Sequence, residues 1–446
     1  MGRVSIIGYC VYIGDLMRGQ GMKMLTFPHM LYLHRNRMLW SQCLLLGLIA
    51  IGVFMLTACA GLATEKDDQN VAVVDDGVAV NAQTGMSATA NMKDGRSRTL
   101  RSLTSGWKTD WTRHAISYDE LRWGGPKRDE IPSIDAPHFI SNAQAASWLV
   151  DNEPVIVVDL QGEARAYPLQ IMIWHEIVND MIGNVPILVT FCPLCNSAIV
   201  FDRRVENVTY EFGTSGLLRN SDLVMYDRTN ESLWQQFTGE AIVGDAMGHH
   251  LSFFSSSVVS FGNFREAYPS GMVLSTKTGL NRTYGRNPYA NYDTIGNKPF
   301  LFNGKVDARL QAMERVVSVS LGEVEVAYPL TVLVEHGVVN DTQAGRYLAV
   351  FHGSGTSSAL DASQIAKGRD VGATGVFDAT VNGQTLTFRQ DGNGIVDQET
   401  GTRWNIFGHG VSGSLQGTQL TPIVHGDHFW FSWAAFKPKT IVFQGK

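Results

Sequence analysis

Two cysteines three residues apart, in Cys192-Pro193-Leu194-Cys195-Asn196, are the residues best equipped for chemistry. The turn lies between two β-type runs, Val185–Phe191 and Ala198–Phe201. A C-P-x-C turn so placed resembles a zinc-knuckle or rubredoxin-type turn. Both sulfurs then point to one centre, and backbone N–H groups donate to them. The residue after the second Cys often needs a positive φ. Glycine meets that need best and asparagine next best, so Asn196 fits. A closed zinc site needs four ligands, and no second C-x-x-C exists. The remaining ligands must come from His, Asp or Glu. His175 leads, because it sits in a predicted helix, Leu169–Val178, that must pack on the Cys-bearing strand. His352 follows, because Arg-Tyr-Leu-Ala-Val-Phe-His352 aligns with Pro-Ile-Leu-Val-Thr-Phe-Cys192. Two thiolates with one or more imidazoles suit one transition metal ion, Zn or Cu. The metal-site reading therefore rests on Cys192, Cys195, His175 and His352.

Other readings of the pair stay open. An inert disulfide would make it structural, in a ligand-binding or scaffold protein. A metal-free thiol–disulfide oxidoreductase would use it as a redox couple, since C-x-x-C lowers a thiol pKa. Here the pair precedes a strand rather than the long helix of a thioredoxin. Covalent haem is excluded, because no His follows the second Cys. Glu163, Glu176, Asp202 and Asp222 offer carboxylates that sequence alone does not pair. Gly213-Thr214-Ser215-Gly216 is no phosphate loop: no Lys-Ser/Thr follows and no helix opens there. Ser215 lacks the hydrolase elbow pattern. His249-His250 reads as loop, and Met225, Trp234 and Trp404 as core. Whether the chain is an enzyme stays open.

The elements that must position these residues recur. Gly162–Asp180 (GEARAYPLQIMIWHEIVND) matches Gly322–Asp341 (GEVEVAYPLTVLVEHGVVND). Tyr167-Pro168-Leu169, His175 and Asn179-Asp180 each recur 161 residues on. Asp227…Trp234 pairs with Asp397…Trp404, and Phe261–Pro269 loosely with Phe431–Pro438. Asp180 and Asp341, each after Asn at a predicted helix end, read as cap or turn residues. Within the first copy, Val155–Leu160, Val208–Phe212, Leu223–Tyr226 and Leu233–Val243 read as strands, and Phe264–Tyr268 as a short helix. The predicted fold class is α+β and β-rich, with two tandem pseudo-symmetric repeats packed into one compact body. The halves are 106–310 and 311–446.

The N-terminal segment is an address. Arg35 and Arg37 precede an apolar run from Leu39 to Leu56, and Thr57-Ala58-Cys59 follows. This resembles a bacterial lipoprotein signal, with residues 1–58 removed and Cys59 carrying the lipid. A retained anchor competes, since about 18 apolar residues is the lower limit for a span. The reading implies a bacterial cell-envelope protein, facing the periplasm or exterior, whose partner is the membrane through that anchor. Residues 59–105 are polar and aperiodic, hence a flexible tether. Of the five cysteines, only Cys192 and Cys195 then remain in the exported body. The 446-residue chain carries 36 basic and 42 acidic side chains, a net charge of −6. No basic surplus exists to displace phosphate counterions, so a nucleic-acid partner is excluded. Hydrophobic residues make up 44%, which excludes wholesale disorder. Low charge, 17%, with 45 glycines suits a turn-rich β protein.

At AYPLQIMIWHEIVND, VTFCPLCNSAIVFDR, FGTSGLLRNSDLVMYDRTNESLWQQFTGEAIVG and FWFSWAAFKP the chain resembles an uncharacterised exported bacterial family, domain-of-unknown-function family number 3179. The family pattern usually carries Gly after the second Cys, where this chain has Asn196. The resemblance implies an exported location and draws attention to Cys192, Cys195 and His175. It implies no activity or substrate.

Overall fold

The computed structural model describes residues 73–74, 78–79, 94–392 and 394–445. The leader, Cys59 and most of the tether lie outside the described residues. No described helix is long and apolar enough to cross a membrane. The protein is β-rich, with short helices set between strands. The folded part begins before residue 106, earlier than the tether boundary expected from sequence. Helix Arg98–Leu103 is capped by Ser97 and buries Leu100 against Trp111, Tyr118 and Leu121.

Strand Pro154–Leu160 pairs with Glu163–Pro168 through a two-residue turn. Val155 to Val158 are all buried, so this strand is covered on both faces and reads as a continuous apolar run. Pro168 has the extended backbone of an N-cap, and Leu169–His175 is helical. The helix ends three residues before the predicted Val178, because Ile177 and Val178 are β-branched and enter a strand. That strand, Ile177–Ile182, forms a hairpin with Val185–Cys192, and Cys192 pairs across the next turn with Ser197 of Ser197–Asp202. A third sheet holds the hairpin Phe212–Arg219 and Asp222–Asp227, followed by Leu233–Gln235 and Ala241–Val243. The predicted strand Val208–Phe212 is broken: Val208–Thr209 pairs with Arg204–Val205, and Phe212 opens the longer strand. Helix Phe261–Ala267 leads to Met272–Leu274, which runs parallel to Glu163–Pro168.

From Arg315 the strands Arg315–Leu321 and Val324–Pro329, helix Leu330–His336, and hairpin Val338–Gln343/Arg346–Gly353 follow in order. Phe388–Asp391 pairs with Gly394–Asp397, and helix Trp430–Phe436 leads to Ile441–Val442, parallel to Val324–Pro329. Between Leu274 and Arg315 no described residue lies in a helix or strand.

The Asn-Asp pairs are not helix caps, as the sequence suggested; both lie in strands. Asp180 accepts from Tyr167 Oη at 2.6 Å and from Arg165 Nη1 at 2.6 Å. Asp341 accepts from Tyr328 Oη at 2.8 Å. Asn179 exchanges two hydrogen bonds with the backbone of Phe212, and Asn340 two with that of Phe388. Each Asn thus fastens one sheet to the next. Trp234 and Trp404 are core aromatics, as expected, and each donates its indole N–H to the turn aspartate, Asp227 or Asp397, at 2.9 Å.

Candidate metal or dithiol centre

The turn after Val185–Cys192 is a single 3-10 turn, Pro193–Cys195, with Pro at its first position. Asn196 closes it in the left-handed region at φ 50°, as the motif requires. Its Nδ2 donates to the Asp427 carbonyl at 3.1 Å. Cys192 and Cys195 are unbridged thiols, exposed by 2% and 0%. Cys192 Sγ donates to the Ser221 carbonyl at 3.8 Å.

The third member comes from the hairpin Phe212–Arg219/Asp222–Asp227. Asn220 and Ser221 form its turn, both with positive φ, and a register irregularity falls between Thr214 and Leu217. Asp222, fully buried, is thereby brought to the cysteines. One ligand atom from each of Cys192, Cys195 and Asp222 lies within 4.8 Å of the others. Asp222 Oδ2 accepts from Gln235 Nε2 at 2.5 Å and from the Phe237 N–H at 2.9 Å. Its Oδ1 is buried with no aligned hydrogen-bond partner.

Burial governs the protonation of the group. It pushes Asp222 up to about 7, against bonds from Gln235, Phe237 and the two thiols that favour the anion. Burial, then the nearby Asp222, pushes Glu176 up to about 8. Burial also raises Cys192 and, further, Cys195. No basic side chain is among the main influences on any of the four. Glu176 follows the helix in a left-handed conformation, φ 59°, a costly position for a residue with a Cβ.

The segment between Leu274 and Arg315 forms a strap over these groups. Tyr292 Oη donates to the Leu194 carbonyl at 3.1 Å and accepts from the Phe300 N–H at 3.2 Å. Ser221 Oγ donates to the Phe300 carbonyl. Tyr289 and Tyr292 are partly buried and pack against the core that holds the thiols, and both phenols are held well above their usual range, first by desolvation. Asp293, next in the strap, is fully buried and paired with Arg315 and Arg369.

Neither expected histidine joins the cluster. His175 Nδ1 faces the Pro132 carbonyl at 2.8 Å, so it carries the hydrogen. Its Nε2 then accepts from Tyr284 Oη at 2.7 Å. Both nitrogens are committed, and His175 holds the strap rather than an ion. His352 fails for a different reason. Phe191 N–H bonds to the Glu176 carbonyl, and His352 N–H to the Gly337 carbonyl. The position matching His352 is therefore Phe191, and Cys192 matches Gly353. The alignment made from sequence was one residue out, and one residue turns a strand side chain to the opposite face. His352 Nε2 instead lies buried beside Gly372, where a Cβ would stand 2.1 Å away.

Asp222 and Glu176 are the members that sequence reasoning left unassigned among four carboxylates. A signal existed for Glu176: it stands where the matching stretch has Gly337. Chemically, the centre offers two soft sulfurs and a carboxylate oxygen, with a second carboxylate near.

The chain belongs to the family described as protein of unknown function (DUF3179), whose model matches residues 128–440. No curated protein and no solved structure gives a significant match.

Proposed function

We propose that this protein binds one transition metal ion, Zn or Cu, through Cys192, Cys195 and Asp222, for metal handling or metal-dependent redox chemistry. One observation carries the reading: ligand atoms of Cys192, Cys195 and Asp222, all three buried, lie within 4.8 Å of one another. Buried charge is tolerated when it is paired or coordinates a metal. An ion binding there displaces the protons that burial holds on these groups and takes the thiolates and the carboxylate as ligands. Three protein ligands leave a fourth position open, as in catalytic rather than closed zinc sites. We further propose that residues 1–58 are a lipoprotein signal, that Cys59 carries the anchor, and that the mature protein faces the periplasm or exterior. The two regions are proposed to be pseudo-symmetric repeats, supported by the recurring Tyr–Asp bond, Asn clamp and Asp–Trp turn.

A second reading is favoured by Asp222 itself. A carboxylate near pKa 7 beside two thiols is placed to take a thiol proton in thiol–disulfide exchange. Against it stand two sulfurs closed to an external disulfide.

The test is elemental analysis of the full chain, purified anaerobically in detergent, with thiol titration. About one equivalent of Zn or Cu, lost in Cys192→Ser and in Asp222→Asn, is the expected result. A metal-free protein whose two thiols oxidise reversibly supports the second reading. A metal-free protein with no free thiol removes both.

A further inference from the structure

Glu176 is placed beside the sulfur cluster without being part of it. Its carbonyl accepts from the N–H of Phe191, the residue before Cys192. Glu176 feels the charge of Asp222, and Cys192 and Tyr289 feel that of Glu176. Yet Glu176 stands outside the three residues whose ligand atoms lie within 4.8 Å of one another. The turn does not need this side chain. The matching Gly337 makes the same left-handed turn, at φ 69° against 59°. Non-glycine residues held in such strained conformations cluster at functional sites.

The carboxyl group of Glu176 is unsatisfied and open. Among the described residues, nothing donates a hydrogen bond to it. Asp222 Oδ1 is shut away from solvent without a partner, but neither Glu176 oxygen is. Both oxygens therefore border open space, in a residue only 8% exposed. A polar group so buried and so unpaired is rare and asks for a reason. A water molecule on the fourth position of the ion would supply one, hydrogen-bonded to the carboxylate. Thiolate-rich zinc sites can work this way, with a glutamate that is not a ligand as the acid and base.

We propose, resting on the metal reading above, that the centre is hydrolytic: Glu176 is the general base that takes a proton from water on the ion, and the substrate is a small uncharged ester. The surroundings select that substrate. Tyr289, Tyr292, Phe300 and Phe302 pack on this core, and no basic side chain is among the main influences on the acidic groups. A charged ester finds no counter-charge there. The step balances. The water oxygen bonds to the carbonyl carbon as its proton passes to Glu176. The bond from that carbon to the alcohol oxygen breaks, and the proton leaves with the alcohol. Acid and alcohol are formed, and no oxidant or reductant is consumed.

The test is hydrolysis of p-nitrophenyl acetate by the full chain in detergent, loaded with zinc and measured against the metal-free chain. Glu176→Gln is expected to keep its zinc and to hydrolyse the ester at least about a hundredfold more slowly, the usual worth of a general base. Glu176→Gly relieves the left-handed residue, so the test does not depend on Glu176→Gln folding. It is expected to lose the same activity and to regain part of it with added formate, a small carboxylate that can occupy the vacated space. A purely structural Glu176 would give no response to formate. A chain that binds no zinc defeats the metal reading, and this proposal with it. A chain that binds zinc and does not hydrolyse the ester, hydrolyses it undiminished in Glu176→Gln, or loses its zinc with Glu176 overturns this proposal alone. So does a Glu176→Gly protein that formate leaves inactive.

Discussion

Two hairpins carry the same register and end differently. In the first, Ile177–Ile182 and Val185–Cys192 lead into a four-residue turn that holds Cys195. In the second, Val338–Gln343 and Arg346–Gly353 lead into residues 354–372 before the next strand begins at Ala373. Glu176 stands where the second has Gly337. The next hairpins differ as well. Phe388–Asp391/Gly394–Asp397 stops after four pairs, whereas Phe212–Arg219/Asp222–Asp227 runs further, through a register irregularity, and ends on Asp222. The strands that build the core are common to both regions. The acidic groups of the centre are added where a turn shortens and a hairpin lengthens. The candidate centre sits in the connections, and the sheets supply its frame.

The sharpest way to break this contrast is to exchange its terms. Cys192→Ser is expected to lower bound metal from about one equivalent to none, and His352→Ala to leave it unchanged. With free metal at about a thousand times Kd, the loss appears as about 4 kcal/mol in a denaturant titration. Metal lost from His352→Ala would join the two regions into one site.

The second prediction concerns the metal-free protein. Folding raises the Asp222 and Glu176 carboxyls above their ordinary values, to about 7 and about 8. The native state therefore holds protons that the unfolded chain has released. Stability is greatest below the ordinary carboxyl range and falls as pH rises through 7 and 8. Asp222→Asn is expected to flatten that fall, read as urea midpoints across the range. A profile unchanged by Asp222→Asn would show that Asp222 is not held in a dry site.

The smallest effect lies at Glu176. Glu176→Gly relieves a left-handed residue and is expected to stabilise the metal-free chain by about 1 kcal/mol. The reverse change, Gly337→Glu, is expected to destabilise, since a Cβ there would stand 2.1 Å from Gln390 Oε1. Paired melting curves read both. A destabilised Glu176→Gly would mean that the side chain supports the fold.

Much of this frame was legible in the sequence, because it is written locally. The Cys turn, the left-handed Asn196, the strand pairs and the buried Trp234 and Trp404 depend on neighbours a few residues away. The centre was less legible. Asp222 reaches the sulfurs only through the register of a hairpin thirty residues downstream. His175 is committed by Pro132 and by Tyr284, 43 and 109 residues away. His352 was misplaced because Phe-Cys and Phe-His look alike in an alignment, while the backbone bonds keep the 161-residue offset through both hairpins.

The strap has a consequence for timing. Tyr292 bonds to Leu194 of the cysteine turn, Phe300 to Tyr292 and Ser221, and Tyr284 to His175, and the segment that bears them has no ladder of its own. An ion bound as proposed would have to enter before this cover settles, or wait for it to lift. Exchange is then as slow as that local unfolding, and occupancy is a matter of history more than of affinity. An ion held as proposed would then record the compartment in which the protein folded.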